Sequence, residues 1–167
     1  MPVYHVAQVN IGRVKAPVED PLMAGFVARL DEINALADRS PGFVWRLHTP
    51  VGNATYFRPY PEDDRILINM SVWETIAALR HYVYKTAHAE LLRQREAWFE
   101  KFSGAYTALW WVPAGHRPGM DEATKRIAHL EQYGPTQFAF TFKTTFEPDE
   151  EFQQRIDWSS FVPCTAS

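Results

Sequence analysis

The sequence predicts an α+β fold of the ferredoxin-like split βαβ type, a four-stranded antiparallel sheet with helices on one face. Three observations carry this reading. Short alternating runs recur at Val3–Asn10, Phe43–His48, Ile66–Trp73 and Tyr106–Pro113. Amphipathic helical patterns with capping residues follow the first and third of them. The resulting order is strand-helix-strand, twice over. At 167 residues the chain is read as one domain over 1–145 with a tail over 146–167, long enough for a sizeable core.

In the first run Val3, His5, Ala7 and Val9 share one face, and Tyr4, Val6, Gln8 and Asn10 share the other. Asp20-Pro21 then reads as a cap with proline at the first helical position, opening a helix to about Arg39. Its inward positions are Leu22, Phe26, Leu30, Ile33 and Ala37, and Ser40-Pro41-Gly42 closes it. Phe43–His48 places Phe43, Trp45 and Leu47 opposite Val44, Arg46 and His48. The long connection from Thr49 to Arg65, rich in proline and aromatics, either folds over a pocket mouth or forms a hairpin excursion turning at Asp63-Asp64. Ile66–Trp73 is the third strand, and Thr75 caps the helix after it, with Ile76, Leu79 and Val83 inward. A second helix runs from about His88 to Gly104. Its apolar stripe is out of phase with the preceding one, so a break near Thr86 is expected. Asp121 is read as the cap of a further helix, with Ala123, Ile127 and Leu130 inward and Gly134-Pro135 at its end. Gln137–Thr144 alternates as a fifth strand, and the acidic segment beyond Glu147 anchors through Trp158 and Phe161 on the body or on a partner, or hangs free.

Composition removes several functions. Seventeen basic against twenty acidic residues give a net charge of −3 with no basic stripe, which argues against nucleic acid. No apolar run approaches the ~18 residues of a membrane span, and no targeting segment precedes the first strand; a cytoplasmic protein is expected. A single cysteine, Cys164, permits no internal disulfide and has no basic neighbour to activate it. Asn53-Ala54-Thr55 is read as an unmodified loop. Aromatics at 14% exceed what a small core needs, pointing to a tight dimer or an aromatic-lined cavity. The sheet face away from the helices needs a cover, and face-to-face pairing of two subunits as a dimeric α/β barrel supplies one.

Chemistry concentrates in the segment Ile66–Phe102. Leu91, Leu92, Trp98, Phe99 and Phe102 define one helical stripe, and at ~100° per residue His88 and Arg95 fall inside it. Inward polar groups need partners, so the segment marks a pocket for a hydrophobic small molecule. His88 is either a base near neutral pH or a core histidine bonded to a carbonyl or to Tyr84. Arg95 either binds a carboxylate, carbonyl or propionate, or bridges to Glu90 or Glu96. Trp73 and the Trp110-Trp111 pair offer flat walls, and strand alternation sends one of Trp110 and Trp111 to each face. Asn10, Asn69, Ser71 and Arg46 form a polar lining if their faces coincide across the sheet. His5, His48, His81 and His129 show no short ligand spacing, so no dedicated metal site is expected.

The stretches VWET, YKTAHAELLRQREAWF and LWWVPAGH resemble an uncharacterised bacterial family of the dimeric α/β-barrel superfamily, which includes the antibiotic-biosynthesis monooxygenases. The resemblance implies a homodimer with a small pocket in each subunit between sheet and helices. A second resemblance is to the haem-degrading monooxygenases of that superfamily. Asn10, Trp73 and Lys85-Thr86-Ala87-His88 stand where those enzymes carry an Asn, a Trp and an axial His. The stretch from Trp73 to His88 is shorter here, and Tyr82 or Tyr84 replaces their pocket Trp.

The expected function is therefore a small monooxygenase-like oxidoreductase, using either no cofactor or haem held through His88. In the first case His88 takes a proton, Asn10, Arg95 or Asn69 holds the oxyanion, and Trp73, Tyr84, Trp110 and Trp111 shape the cavity. In the second, Tyr84 and Arg95 lie near the porphyrin edge. The competing expectation is a non-catalytic dimeric module that binds a hydrophobic small molecule or haem.

Overall fold

A computed structural model describes residues 2–49, 54, 55 and 57–161; Asn53 of the sequon and Cys164 lie outside them. The architecture is α+β, with a four-stranded antiparallel sheet in the order β2-β3-β1-β4, as a ferredoxin-like fold requires. The strands are β1 (Tyr4–Arg13), β2 (Phe43–Arg46), β3 (Ile66–Trp73) and β4 (Thr107–Pro113). The helices are α1 (Ala24–Asp38), α2 (Ile76–Lys85), α3 (Ala87–Arg93), α4 (Met120–Tyr133) and α5 (Glu150–Gln154).

Capping chemistry sets most of these boundaries. Asp20 accepts from the Leu22 amide, with Pro21 opening a single 3-10 turn ahead of α1. Thr75 accepts from Ala78 at the start of α2. In α1 the inward residues are Phe26, Ile33 and Ala37. Leu22, expected inside, is 52% exposed, and Met23 is buried in its place. The helix proper begins three residues after its proline, which shifts the phase. α4 starts after Gly119 and not at Asp121, which sits in the first turn, where its charge suits the helix dipole.

Register puts Gln8 opposite Ser71 and Leu109, and Asn10 opposite Asn69 and Thr107. One sheet face thus carries Val6, Gln8, Asn10, Gly12, Leu67, Asn69, Ser71, Trp73, Thr107, Leu109 and Trp111, and α1 and α2 pack upon it. The opposite face carries Ala7, Val9, Ile11, Met70, Val72, Ala108, Trp110 and Val112.

That second face is where the sequence places a partner subunit. In the structure α4 lies on it, burying Ala123, Ile127 and Leu130 against the strands, with Phe57, Tyr60 and Trp158 packed around the same cluster. The apolar surface that called for a partner is covered within one chain. In the connection from Thr49 to Arg65, Ala54 and Thr55 line the cavity on the helix side, while Ala54, Phe57 and Tyr60 pack against the α4-side cluster. Asp63 receives Arg13 Nε at 2.8 Å at its far end. Trp158 and Phe161 anchor the C-terminal segment on the body, Trp158 meeting His116 at 4.8 Å between ring centres.

Two expected elements are absent in that form. Gln137–Thr144 is not a fifth strand: it makes one bridge, Leu109 to Phe140, with both backbone bonds at 2.8 Å, and then bonds locally. Its alternation reflects an edge buried on two sides, Phe140 with the α1/α2 cluster and Phe138 against Arg126. The long second helix is likewise divided. α3 ends at Arg93, a 3-10 turn follows at Arg95–Ala97, and Phe99 bridges to Val14. Backbone bonds from Lys15 to Trp98 and from Glu100 to Arg13 reward leaving the helix to extend the sheet. No proline or glycine marks that exit, so helical spacing hid it.

α4 also carries a buried charge pair. Glu122 and Arg126 are wholly buried. Glu122 accepts from Trp110 Nε1 at 2.8 Å and faces His116 Nε2 at 2.7 Å, with Arg126 Nη2 at 3.5 Å. Arg126 donates to the Phe138 carbonyl and lies 3.9 Å from the Phe138 ring centre. Burial lowers its guanidinium to about 10, so it stays charged at neutral pH. Replacing Glu122 with Ala strands that charge in the core, and stability in urea should fall by about 3–5 kcal/mol. Glu151→Ala, which removes an exposed pair with Arg155, should cost under about 1 kcal/mol in the same measurement.

Candidate functional site

Between the helix-bearing sheet face and α1, α2 and α3 lies a cavity of about 840 Å³. Its size is that of a small-molecule site. The floor is polar where a packed core would be apolar: Gln8, Asn10, Asn69 and Thr107 all line it. Gln8 Nε2 donates to Asn69 Oδ1 at 2.8 Å and to Ser71 Oγ at 2.9 Å, and Asn10 Nδ2 donates to Thr107 Oγ1 at 2.8 Å. Asn69 sits mid-strand yet is exposed, lining the cavity in a sheet otherwise buried or half-buried around it. The expected coincidence of Asn10, Asn69, Ser71 and Arg46 on one face holds. Arg46, however, turns to Asp38 at 2.7 Å and is not among the lining residues.

His88 lines this cavity from the first turn of α3. The break at Thr86 aims it. Thr86 Oγ1 donates to the Tyr82 carbonyl at 2.5 Å, ending α2, and accepts from the His88 amide at 3.3 Å, starting α3. The imidazole rests on Tyr82 at 4.9 Å, and Tyr82 stacks on Trp73 at 5.0 Å and 27°. His88 Nδ1 lies 3.2 Å from the Val83 carbonyl, which fixes the proton on Nδ1. Nε2 makes no hydrogen bond to any described residue and is left as a free acceptor. Burial holds the imidazole below its ordinary value of 6.5, opposed by the Val83 carbonyl. The ring is thus a neutral base of fixed tautomer.

Arg95 lines the cavity at its other end and stacks on aromatic rings, 5.4 Å from Phe99 and 5.0 Å from Tyr106. It makes no ion pair with Glu90 or Glu96. Gly12 permits this arrangement, since a Cβ there would meet Phe99 at 2.6 Å and Arg95 Nη2 at 3.3 Å. Tyr84 is 48% exposed and meets Phe142 edge-on at 5.4 Å, near Lys143 at the cavity mouth.

Three expected wall residues are placed differently. Trp110 lies on the α4 face, bonded to Glu122, and takes no part in the cavity. Trp111 is on the helix side but fully packed, its Nε1 donating to the Phe146 carbonyl. Trp73 is wholly buried, donates to Ser71 Oγ at 2.8 Å, and acts from behind Tyr82. Tyr82 is the residue that sequence reasoning underrated. Its phenol donates to the Ile33 carbonyl, and burial pushes its pKa well above the ordinary 10. Helical spacing from Leu79 was the available signal.

Among the described residues no group of three His, Cys, Asp or Glu can hold a metal ion, and no helix is long and apolar enough to cross a membrane. His88 can serve as a single axial ligand to haem: its Nδ1–H is oriented by a carbonyl, and Nε2 is open.

The family described as "Domain of unknown function (DUF3291)" matches residues 5–156. No curated protein matches the sequence. A crystal structure from Pseudomonas aeruginosa is similar at 14% identity and a TM-score of 0.45, covering 68% of this chain and 96% of that one. One from Nitrosomonas europaea, of unknown function, is similar at 13% and 0.45, covering 71% and 99%. Another from that organism, named "Putative antibiotic biosynthesis monooxygenase", is similar at 15% and 0.42, covering 69% and 91%. Likenesses of this size transfer no activity.

The depressed pKa of His88 has a stability consequence. Between that lowered value and 6.5 the unfolded chain binds the proton and the folded chain does not. Stability is therefore full above about pH 6.5 and declines as the pH falls through this window. Tm measured from about pH 7.5 down to about pH 5 should fall less steeply in His88→Gln than in the wild type. His129, also held low by burial and by Arg126, keeps its own share of the decline in both proteins.

Proposed function

The chain belongs to the family described as Domain of unknown function (DUF3291), and we propose that it is a small monooxygenase-like oxidoreductase that deprotonates a hydrophobic, aromatic substrate. One observation carries the reading. His88 is a neutral imidazole with its Nδ1 proton pinned and Nε2 open to an amide-floored cavity. A core histidine needs no such cavity, and a surface histidine keeps no such tautomer.

With a phenol as substrate, Nε2 of His88 takes the hydroxyl proton. The free N–H bonds of the Asn10 and Asn69 amides stabilise the phenolate. The phenolate then gives its electrons to dioxygen. A bond forms between ring carbon and oxygen, the O–O bond breaks, and the ring proton at that carbon is lost. One oxygen atom stays as the quinone carbonyl and the other leaves as water, so the substrate supplies all the electrons. The stack of Trp73, Tyr82 and His88 holds the base in place and excludes water from its buried side.

The pinned tautomer also favours a second reading in which Nε2 of His88 holds haem and Arg95 meets its propionates. Haem bound there would supply the iron that activates dioxygen. We also propose that the active form is a homodimer. With α4 over the second sheet face, its contacts would come from strand edges or helices.

Oxygen uptake with a panel of phenols and hydroquinones tests the base. His88→Ala should lower turnover by about 10²–10⁴-fold while ligand binding persists. Undiminished turnover in His88→Ala would remove the base role. Uptake by neither protein across the panel would leave a binding module. Hemin titration decides the second reading: a Soret band that moves on His88→Ala supports it, and no binding of hemin ends it. Sedimentation giving a mass of 19.3 kDa, that of one chain, would remove the dimer.

A further inference from the structure

The cavity has a charge pattern that the chain as a whole does not share. Asp and Glu account for twenty of the 167 residues and the net charge is −3. Yet no Asp or Glu is among the described residues that line the cavity, whereas Arg95 and Lys143 both do. Glu96, next to Arg95 in the chain, is exposed and makes no ion pair with it, and two further carboxylates close in sequence pair with other cations. Glu90 pairs with Arg29 at 3.5 Å, and Glu100 with Arg13 at 2.5 Å. The Glu131 carboxylate lies against Gly104 and Ala105, which line the cavity, but is not itself a lining residue and accepts from the Ala105 amide.

Arg95 is also held in a way that suits a ligand. Its Cζ lies over the Phe99 and Tyr106 rings, 5.4 and 5.0 Å from their centres. No N–H of the guanidinium has a hydrogen-bond acceptor or ion pair among the described residues, and its forked donors match the two oxygens of a carboxylate. Gly12 brings the β1 backbone close enough that a Cβ would press on Phe99 and on Arg95 Nη2. The guanidinium is therefore positioned by β1, Phe99 and Tyr106, with no counter-charge of its own.

We propose that the ligand of this cavity is a carboxylic acid with an apolar body, its carboxylate paired with Arg95 and its body running over the amide floor toward His88. The inference rests on the cavity being the substrate site, but not on the reaction assigned to it. It narrows the substrate class to anions: an aromatic or other apolar acid, and not the neutral molecule of the same shape.

The test compares 2-naphthoate with 2-naphthamide, which are alike in shape and differ in charge, by calorimetry on the full chain. The acid should bind at least about tenfold more tightly than the amide, since a hydrogen bond to a charged group contributes roughly that much. Added salt should narrow the gap. In Arg95→Gln the acid and amide should bind alike, and in Arg95→Lys part of the preference should return. His88→Ala should keep the preference whatever it does to turnover, so a failed oxidation assay does not count against the anchor. Equal binding of the two compounds by wild type, no binding of the acid, or a preference that survives in folded Arg95→Gln would each overturn the proposal. The wild-type comparison stands even if a variant fails to fold.

Discussion

The interruption at Thr86 is the constraint on which the site depends. One hydroxyl closes α2 by donating to the Tyr82 carbonyl and opens α3 by accepting from the His88 amide. Without it, a continuous helix would carry the phase of Leu79 and Tyr82 forward, and His88, two turns on from exposed His81, would face outward with it. The break costs some helical bonding, and the Val83 carbonyl that it frees becomes the acceptor for His88 Nδ1. The same local event therefore aims the ring, chooses its tautomer and leaves Nε2 open. Tyr82, locked between Trp73 and the Ile33 carbonyl, gives the imidazole a rigid surface to lie on.

The two faces of the sheet solve the problem of buried polarity in opposite ways. On the α4 side Glu122, Arg126, His116 and Trp110 satisfy one another, and aromatic rings close over the guanidinium. That arrangement is buried and pairs its members with one another, with only Arg126 Nε left over among them. On the other side Gln8, Asn10, Asn69 and Thr107 bond in pairs but keep unused donors and acceptors directed at open space. Polar groups of this kind sit in a sheet interior only if water or a ligand meets them. The first arrangement specifies packing, and the second is prepared for an occupant.

Much of this was legible in the residues. Alternation located β3 to the residue, Thr75 and Asp20 marked their helices, and the phase conflict between the Leu79 and Leu91 stripes located the break. His88, Arg95, Asn10 and Asn69 do share one cavity. The failures have physical causes. Helical spacing in Trp98 and Phe99 came from packing on Phe26 across a 3-10 turn, not from a continuing helix. Alternation at Gln137–Thr144 came from two-sided burial of an edge segment. Trp110 and Trp111 were correctly expected on opposite faces, but α4's role as the cover of the second face was invisible. Its amphipathic pattern states that it packs, not upon what.

The separation of Arg95 from the acidic residues follows from the same division of the molecule. In this chain, which has more acidic than basic groups, several acids near the cavity are engaged by other groups, cations or a backbone amide. Arg13 and Arg65 draw Glu100 outward, Arg29 draws Glu90, and Arg13 also holds Asp63, whose carboxyl is kept below its usual range by that contact. These exposed pairs contribute little to stability individually. Their consequence lies in what they remove. A carboxylate so engaged is not free to pair with Arg95, whose guanidinium lies over two rings without an ion pair and keeps its attraction for an incoming anion. The rim pairs and the hollow are thus one electrostatic arrangement, in which weak surface contacts preserve a strong interior one.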